Sequence, residues 1–166
     1  SVIVTPARLD VPPRLGAGRT WGLVTQLYSA RSRNSWGIGD LTDLTDLAVW
    51  SAARHGAGFV LVNPLHAAAP TAPIYLRVEA VPEYAQIRHR GRIRKAREQV
   101  QARAQRSTLI ERDRAWKAKR AALESVYLVD FSAGREIAYQ AFCEREGASL
   151  DDFAIWCALA EQYGAD

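Results

Sequence analysis

The sequence predicts an α/β protein in which one βαβ unit is followed by a mainly α-helical region. Residues 21–27 (WGLVTQL) form a short, apolar run with β-branched side chains. Residues 59–62 (FVLV) form a continuous apolar run, which is typical of a strand buried on both faces. An amphipathic helix lies between them. Because a helical crossover of this length joins strands that run in the same direction, we expect the two strands to be parallel.

The helix between the two strands has clear start and stop signals. Asp40 is placed to cap its first turn, and Asp43 follows three residues later. Gly56 is predicted to end it. Its apolar residues share one face at helical spacing, namely Leu41, Leu44, Leu47 and Ala48.

Three further helices are predicted over residues 109–127, 131–146 and 150–163, each with an apolar stripe at spacings of three and four. An aromatic stripe at this spacing is typical of a core, so we predict packing roles for the largest aromatics. These are Trp116, Phe142, Phe153 and Trp156.

The loops that follow the two strands are the predicted functional region, since ligands of parallel α/β folds bind at the carboxyl ends of the strands. The first loop, residues 28–39 (YSARSRNSWGIG), combines two aromatics, two arginines and small polar residues. This mixture suits stacking on, and hydrogen bonding to, a sugar or a nucleotide. The second loop begins with Asn63, Pro64, Leu65 and His66.

Two motifs, QLYSARSRNSWGIGDLTDL and FVLVNPLHAAAP, occur here in the order and spacing that resemble the start of the catalytic barrel of 4-α-glucanotransferases, also called amylomaltases or disproportionating enzymes. The stretches LIERDRAWKAKRAALESVY and FCEREGASLDDFAIWCALAEQYG resemble, more loosely, the helical insertion after the second barrel strand of that family. The resemblance implies an incomplete (β/α)₈ TIM barrel, because 166 residues are fewer than the ~250 of a full barrel. The implied regions are an entry linker (1–20), the start of the barrel (21–84) and a helical insertion subdomain (85–166).

The resemblance also implies an activity, the transfer of α-1,4-glucan segments between maltooligosaccharides by a retaining double displacement. Such chemistry needs two carboxyl groups beside the anomeric carbon. In the family these lie on later barrel strands, so no catalytic residue is assigned here and this segment alone is predicted to be inactive. Neither a cofactor nor a metal is implied.

Four residues are predicted to bind the glucan. Tyr28 and Trp36 offer flat apolar faces for pyranose rings, and Asn63 and His66 offer hydrogen bonds to hydroxyl groups. We expect Trp36 to be half-exposed in the glucan cleft, because its neighbours are small and polar. The alternatives are that both aromatics only pack the loop, that Asn63 forms a turn before Pro64, and that His66 is a structural histidine.

One part of the family's sugar site is not visible in the sequence. The resemblance implies a glucan-holding loop with a Ser-Pro-Tyr element, and we expect it between Pro73 and Tyr75. Pro73 and Ile74 instead run directly into Tyr75, so the loop is either deleted or not included. No binding role is therefore assigned to it.

The net charge of +4 is concentrated in residues 88–106, which hold eight Lys or Arg against one Glu. A solvated helix face with a thin apolar stripe explains this segment better than a phosphate-binding patch, since it lacks the interleaved aromatics of a single-strand binding surface. The alternative functions are a basic helical nucleic-acid-binding module and a non-catalytic glucan-binding domain. Maltooligosaccharides are the expected partners, and nucleic acid is not.

The remaining features favour a cytoplasmic protein that does not span a membrane. No apolar run approaches the ~20 residues of a transmembrane helix, and no stretch has the pattern of a signal peptide. Cys143 and Cys157 lie on separate predicted helices without CxxC spacing or a nearby histidine cluster. We interpret them as reduced, buried thiols.

Overall fold

The structure is a computed structural model that describes residues 18–63, 65 and 72–164. Two strands and five α-helices occur in this part of the chain. In order they are β1 (Gly22–Thr25), α1 (Leu41–His55), β2 (Phe59–Val62), α2 (Arg90–Ala104), α3 (Arg112–Tyr127), α4 (Ala133–Glu146) and α5 (Ala148–Tyr163). Short 3₁₀ turns connect them at Leu27–Ser29, Ala72–Tyr75, Val78–Ala80 and Pro82–Gln86.

The two strands form a parallel pair, as predicted, with Gly22 opposite Phe59 and Thr25 opposite Val62. β1 ends two residues before the end of the predicted run. The backbone N–H of Leu27 donates to the side-chain oxygen of Asn63 at 2.7 Å instead of to a strand partner, and the chain turns there.

Helix α1 has the predicted ends. The Asp40 side chain accepts hydrogen bonds from the backbone N–H groups of Thr42 and Asp43, while the Asp43 side chain accepts one from the Asp40 N–H. This reciprocal capping box satisfies N–H groups that the first helical turn leaves without partners. Gly56 ends the helix in the left-handed conformation at a φ of 66°.

The core lies between the loop after β1 and helices α2 and α3. Among the described residues, two clusters of buried apolar side chains form it. The first contains Trp36, Val78, Ile87, Ile93, Ala122 and Val126, and the second contains Ile38, Ile74, Val100 and Ala115. Both clusters contain residues from either side of position 84, the predicted boundary between the start of the barrel and the helical insertion. That boundary stays a prediction.

The three later helices are confirmed near their predicted bounds, and α2 buries only Ile93 and Val100, which confirms its thin apolar stripe. None of the helices in the described ranges is both long and apolar enough to cross a membrane.

Several packing predictions are wrong. Val24 and Leu61 are 76% and 57% exposed, so β2 is not buried on both faces, because a sheet of two strands leaves one face open in the described structure. Helices α4 and α5 contact each other but bury no residue completely. Of the predicted core aromatics, Trp116 packs against the second cluster, whereas Phe142, Phe153 and Trp156 are exposed.

We expect Gly39→Ala to destabilise the chain strongly. A Cβ atom at Gly39 would lie 2.0 Å from the carbonyl oxygen of Leu27 and 2.3 Å from that of Ala30, so the backbone would have to shift. The predicted loss is more than about 3 kcal/mol of unfolding free energy, measured by urea unfolding. Gly91→Ala in α2, where nothing lies within 4 Å, is the control and should stay within about 1 kcal/mol of the parent. Equal effects of the two substitutions would contradict the close approach at Gly39.

Candidate functional site

Tyr28 and Asn63 lie at the same edge of the sheet, because each follows the carboxyl end of one of two parallel strands. The Asn63 side chain accepts the N–H of Leu27 and so links the two strand ends. Tyr28 is half-buried, its ring packs against the second core cluster, and its hydroxyl donates to the side chain of Gln26. His66 lies outside the described residues.

The expectation that Trp36 is half-exposed is wrong. Its side chain has no accessible surface and packs in the first core cluster, and its indole N–H donates to Glu79 Oε2 at 3.0 Å. The small polar neighbours of Trp36 do not enclose it. Residues distant in sequence, on α2, α3 and the turn that includes Val78, do so instead. In this position the indole has no face available to a sugar ring.

A buried ion-pair cluster, which the sequence analysis missed, lies where the first loop meets α1. Arg77 donates through Nε to Asp40 at 2.9 Å and through a terminal guanidinium nitrogen to Asp43 at 2.6 Å, and all three residues are buried. The hydroxyl of Ser35 also donates to Asp43, at 2.7 Å. Asp40 and Asp43 were visible in the sequence as helix-capping residues, but nothing in the pattern marks Arg77 as their partner.

The surroundings shift the pKa values of Asp43 and Arg77. Burial acts to raise the pKa of Asp43, but hydrogen bonds from Ser32, Ser35 and Arg77, with the Asp40 backbone, outweigh it and lower that pKa. Burial acts to lower the pKa of Arg77, and the two carboxylates reverse this and raise it. The Arg77 guanidinium and the Asp43 carboxylate are therefore charged at neutral pH.

Lys119 of α3 is the second buried cation close to this cluster. Its ammonium group has no accessible surface and donates to the carbonyl oxygen of Ile74 at 2.6 Å. Burial is the main cause that lowers its pKa to about 8. Arg77 acts in the same direction as burial, whereas Asp40, Glu79 and Asp43 act to raise this pKa. Glu79 in turn accepts from Trp36 and, at 3.0 Å, from Arg97 of α2.

Several open clefts flank these elements in the described part of the chain. A cavity of about 370 Å³ opens between the first loop and the carboxyl end of α2. It is lined by Arg31, Ser32, Arg33, Ser35, Gly37, Gln101, Ala104 and Gln105. A larger groove of about 640 Å³ runs along α3 and is mostly apolar. Tyr28 and Asn63 line neither of these two cavities.

The carboxylates nearest the strand ends are held by structural partners. Asp40 and Asp43 cap α1 and bind Arg77, which leaves neither as a simple candidate for a nucleophile or an acid/base. Across the described ranges, no three His, Cys, Asp or Glu side chains are grouped to hold a metal ion. In the basic segment, Arg97 pairs with Glu79 and Arg103 pairs with Glu111. Such ion pairs are typical of a helix with one packed face and one solvated face.

A βαβ unit with polar and aromatic side chains at its strand ends is the arrangement of α/β proteins that bind ligands at this edge of the sheet. Residues 25–166 match the sequence model of the 4-alpha-glucanotransferase family. The chain therefore belongs to this family.

Proteins with similar sequences agree with this assignment. The chain is 55% identical to a 4-alpha-glucanotransferase of Mycobacterium bovis and to one of Mycobacterium tuberculosis, over all of this chain and 26% of each relative. A 4-alpha-glucanotransferase of Haemophilus influenzae is 42% identical over 43% of this chain and 10% of that protein. The chain thus spans about a quarter of the length of its mycobacterial relatives. Their alignment extends over 188 residues against 166 here, so at least 22 residues of the relatives have no counterpart in this chain.

A solved structure has the same arrangement of elements. The crystal structure of amylomaltase from Corynebacterium glutamicum superposes with a TM-score of 0.77 at 34% identity, over 92% of this chain and 24% of that one. The fold described here is therefore similar to one part of a larger amylomaltase.

We expect Trp36→Ala to cost about 3–5 kcal/mol of unfolding free energy, because it removes a fully buried indole from the core. Urea unfolding of the chain measures this loss. The control is Trp50→Ala on α1, where the indole is 52% exposed, and we expect a loss of about 1 kcal/mol or less. If Trp36→Ala cost no more than Trp50→Ala, the burial of Trp36 would be contradicted.

We also expect stability to rise with pH because of Lys119. Its pKa is about 8 in the folded chain and near 10.5 when unfolded, so between these values the unfolded chain binds more protons. The free energy of unfolding should then increase by about 2–3 kcal/mol from pH 8 to pH 10.5. Lys119→Met should abolish this increase, whereas Lys117→Met, an exposed position on the same helix, should keep it. Urea unfolding at several pH values tests this, and an undiminished increase in Lys119→Met would refute it.

Proposed function

We propose that this chain is the amino-terminal part of the catalytic barrel of a 4-α-glucanotransferase. In this proposal β1, α1 and β2 are the first βαβ unit of a (β/α)₈ barrel, and residues 85–166 are the helical insertion. The observation that carries the proposal is the 55% identity to mycobacterial 4-alpha-glucanotransferases over the whole chain. The parallel strand pair supports it, because barrel strands are parallel.

The exposed apolar surface supports the view that further chain packs on this part. One face of the two-stranded sheet is open, with Val24 and Leu61 exposed, and α4 and α5 expose Phe153, Trp156 and Leu159. Large apolar patches of this kind mark surfaces that other protein segments cover. The relatives are about four times longer than this chain, so they have enough sequence to supply such segments.

The proposed reaction transfers α-1,4-glucan segments between maltooligosaccharides by a retaining double displacement. One carboxylate attacks the anomeric carbon and forms a covalent glycosyl-enzyme, while a second carboxyl group protonates the departing oxygen. The second group then deprotonates the hydroxyl of the acceptor glucan, which attacks the intermediate. We assign both groups to the barrel outside this chain, since Asp40 and Asp43 are held by Arg77 and the helix cap.

The role proposed for this chain is to contact the substrate at its strand ends. The half-buried ring of Tyr28 offers an apolar face for a pyranose ring at the carboxyl end of β1. Asn63, at the end of β2, and His66 are proposed to hydrogen-bond glucan hydroxyl groups. Trp36 is not included, because its indole is buried. The 22 or more residues that the relatives have in excess are proposed to include the Ser-Pro-Tyr loop expected between Pro73 and Tyr75.

We further propose that the protein acts in the cytoplasm, in the metabolism of glycogen and maltose. Cys143 and Cys157 are free thiols, and both are half-buried rather than buried as expected. Unpaired cysteines are typical of proteins from reducing compartments, and this is what supports the location.

The decisive experiment compares this chain with the full-length protein, using maltotriose as the substrate. The full-length protein should form glucose and longer maltooligosaccharides. Residues 1–166 alone should form none, because the catalytic carboxylates are proposed to lie elsewhere. Product analysis by chromatography after extended incubation measures both. A full-length protein without this activity would contradict the proposed function, and turnover by the repurified 166-residue chain would contradict the placement of the catalytic groups.

A further inference from the structure

Residues 77–79 hold the first loop with all three of their side chains. Arg77 donates to Asp40 at 2.9 Å and to Asp43 at 2.6 Å. Val78 is fully buried in the cluster that contains Trp36. Glu79 accepts from the Trp36 indole and, through its other oxygen, from Arg97 of α2. The loop is thus attached at its middle and at its end to a segment that follows β2.

The contact of Arg77 with two carboxylates has a defined geometry. Its Nε and one terminal nitrogen reach different side chains, and the planar guanidinium keeps the two donors at a constant spacing. A lysine has a single ammonium group on a flexible stem and cannot reproduce this arrangement. Ser35 of the loop donates to the same Asp43, so the ion pair also holds the loop backbone near residue 35.

This attachment is connected to Tyr28 by a short path. Asp40 is the N-cap of α1, and the preceding residue, Gly39, donates its N–H to the carbonyl oxygen of Tyr28 at 3.2 Å. Between the 3₁₀ turn at Leu27–Ser29 and α1, the described loop has no helix or strand that would hold it by itself. The location of Tyr28 relative to the sheet edge therefore depends on the position of Asp40, in addition to the hydrogen bond from Leu27 to Asn63 and the packing of Tyr28 against the second core cluster.

We propose that Arg77 is a positioning residue for glucan binding, which acts by holding Asp40 and Asp43 so that the 28–39 loop keeps Tyr28 at the carboxyl end of β1. Arg77 itself is buried, and it does not need to contact the sugar. The proposal rests on the proposed function, in which Tyr28 contacts the substrate. It adds that the glucan affinity is determined partly by an ion pair at the end of the loop, where α1 begins.

The test uses the full-length protein with Arg77→Lys and Arg77→Met, assayed on maltotriose well below the melting temperature of each variant. We expect KM to rise about tenfold while kcat changes less than about twofold, since a displaced Tyr28 weakens the binding of substrate and transition state alike. Arg135→Met is the matched control. It also breaks a pair with a buried carboxylate, that of Glu83 at 2.8 Å, but on α4 and away from the loop, so it should leave KM unchanged.

The controls make the alternatives distinguishable. If the Arg77 variants have the KM of the parent, or if Arg135→Met raises KM equally, Arg77 only stabilises the fold and the proposal is refuted. Should Arg77→Met fail to fold, Arg77→Lys decides, because it keeps a positive charge beside both carboxylates.

A second readout does not depend on activity. Amide hydrogen exchange of residues 28–39 should be faster in Arg77→Lys than in the parent, while exchange in α5 stays the same. If the parent enzyme does not act on maltotriose, the proposed function fails, and this exchange still decides whether Arg77 holds the loop. Unchanged exchange in the loop would overturn the positioning role.

Discussion

The buried ion pair of Arg77 with Asp40 and Asp43 is the interaction on which the rest of the structure depends. It joins the start of α1, the loop after β1 and the segment after β2 at a single point. Carboxylates and cations alternate around this point, so each charge has an opposite charge nearby. The group consists of Asp40, Asp43, Glu79, Arg77, Arg97 and Lys119.

Burial of charged groups is costly, and a buried ion pair is weak evidence for stability. The geometric consequence is more important here. An apolar cluster can repack with small shifts, whereas a guanidinium between two carboxylates tolerates few arrangements. The Arg77 cluster therefore specifies the path of a loop that has no regular structure of its own. Lys119 adds a second constraint, since its hydrogen bond to Ile74 attaches α3 to the same segment.

The distribution of burial fits the proposal that this chain is part of a larger enzyme. Its core lies around Trp36 and Ile38, between the first loop and the helices α2 and α3. The sheet and the α4–α5 pair have exposed apolar faces instead. The described residues thus form a core of their own around Trp36. The exposed apolar surfaces of β1, β2, α4 and α5 fit the proposal that the rest of a barrel covers them. In the same proposal, Tyr28 and Asn63 contact the substrate at the boundary between these two regions.

The sequence by itself determined the features that depend on neighbours along the chain. The capping box of Asp40 and Asp43, the stop at Gly56, the parallel strand pair and the three later helices all follow from short-range spacing, and the structure confirms them. Only the tertiary structure decided the environment of Trp36, because the residues that enclose it come from distant segments. The same holds for Arg77, which lies 37 positions from Asp40 and has no periodic signature. From the sequence alone, a charged residue is predicted to be solvated unless its partners are known. Spacing along the chain does not identify partners that meet only after folding.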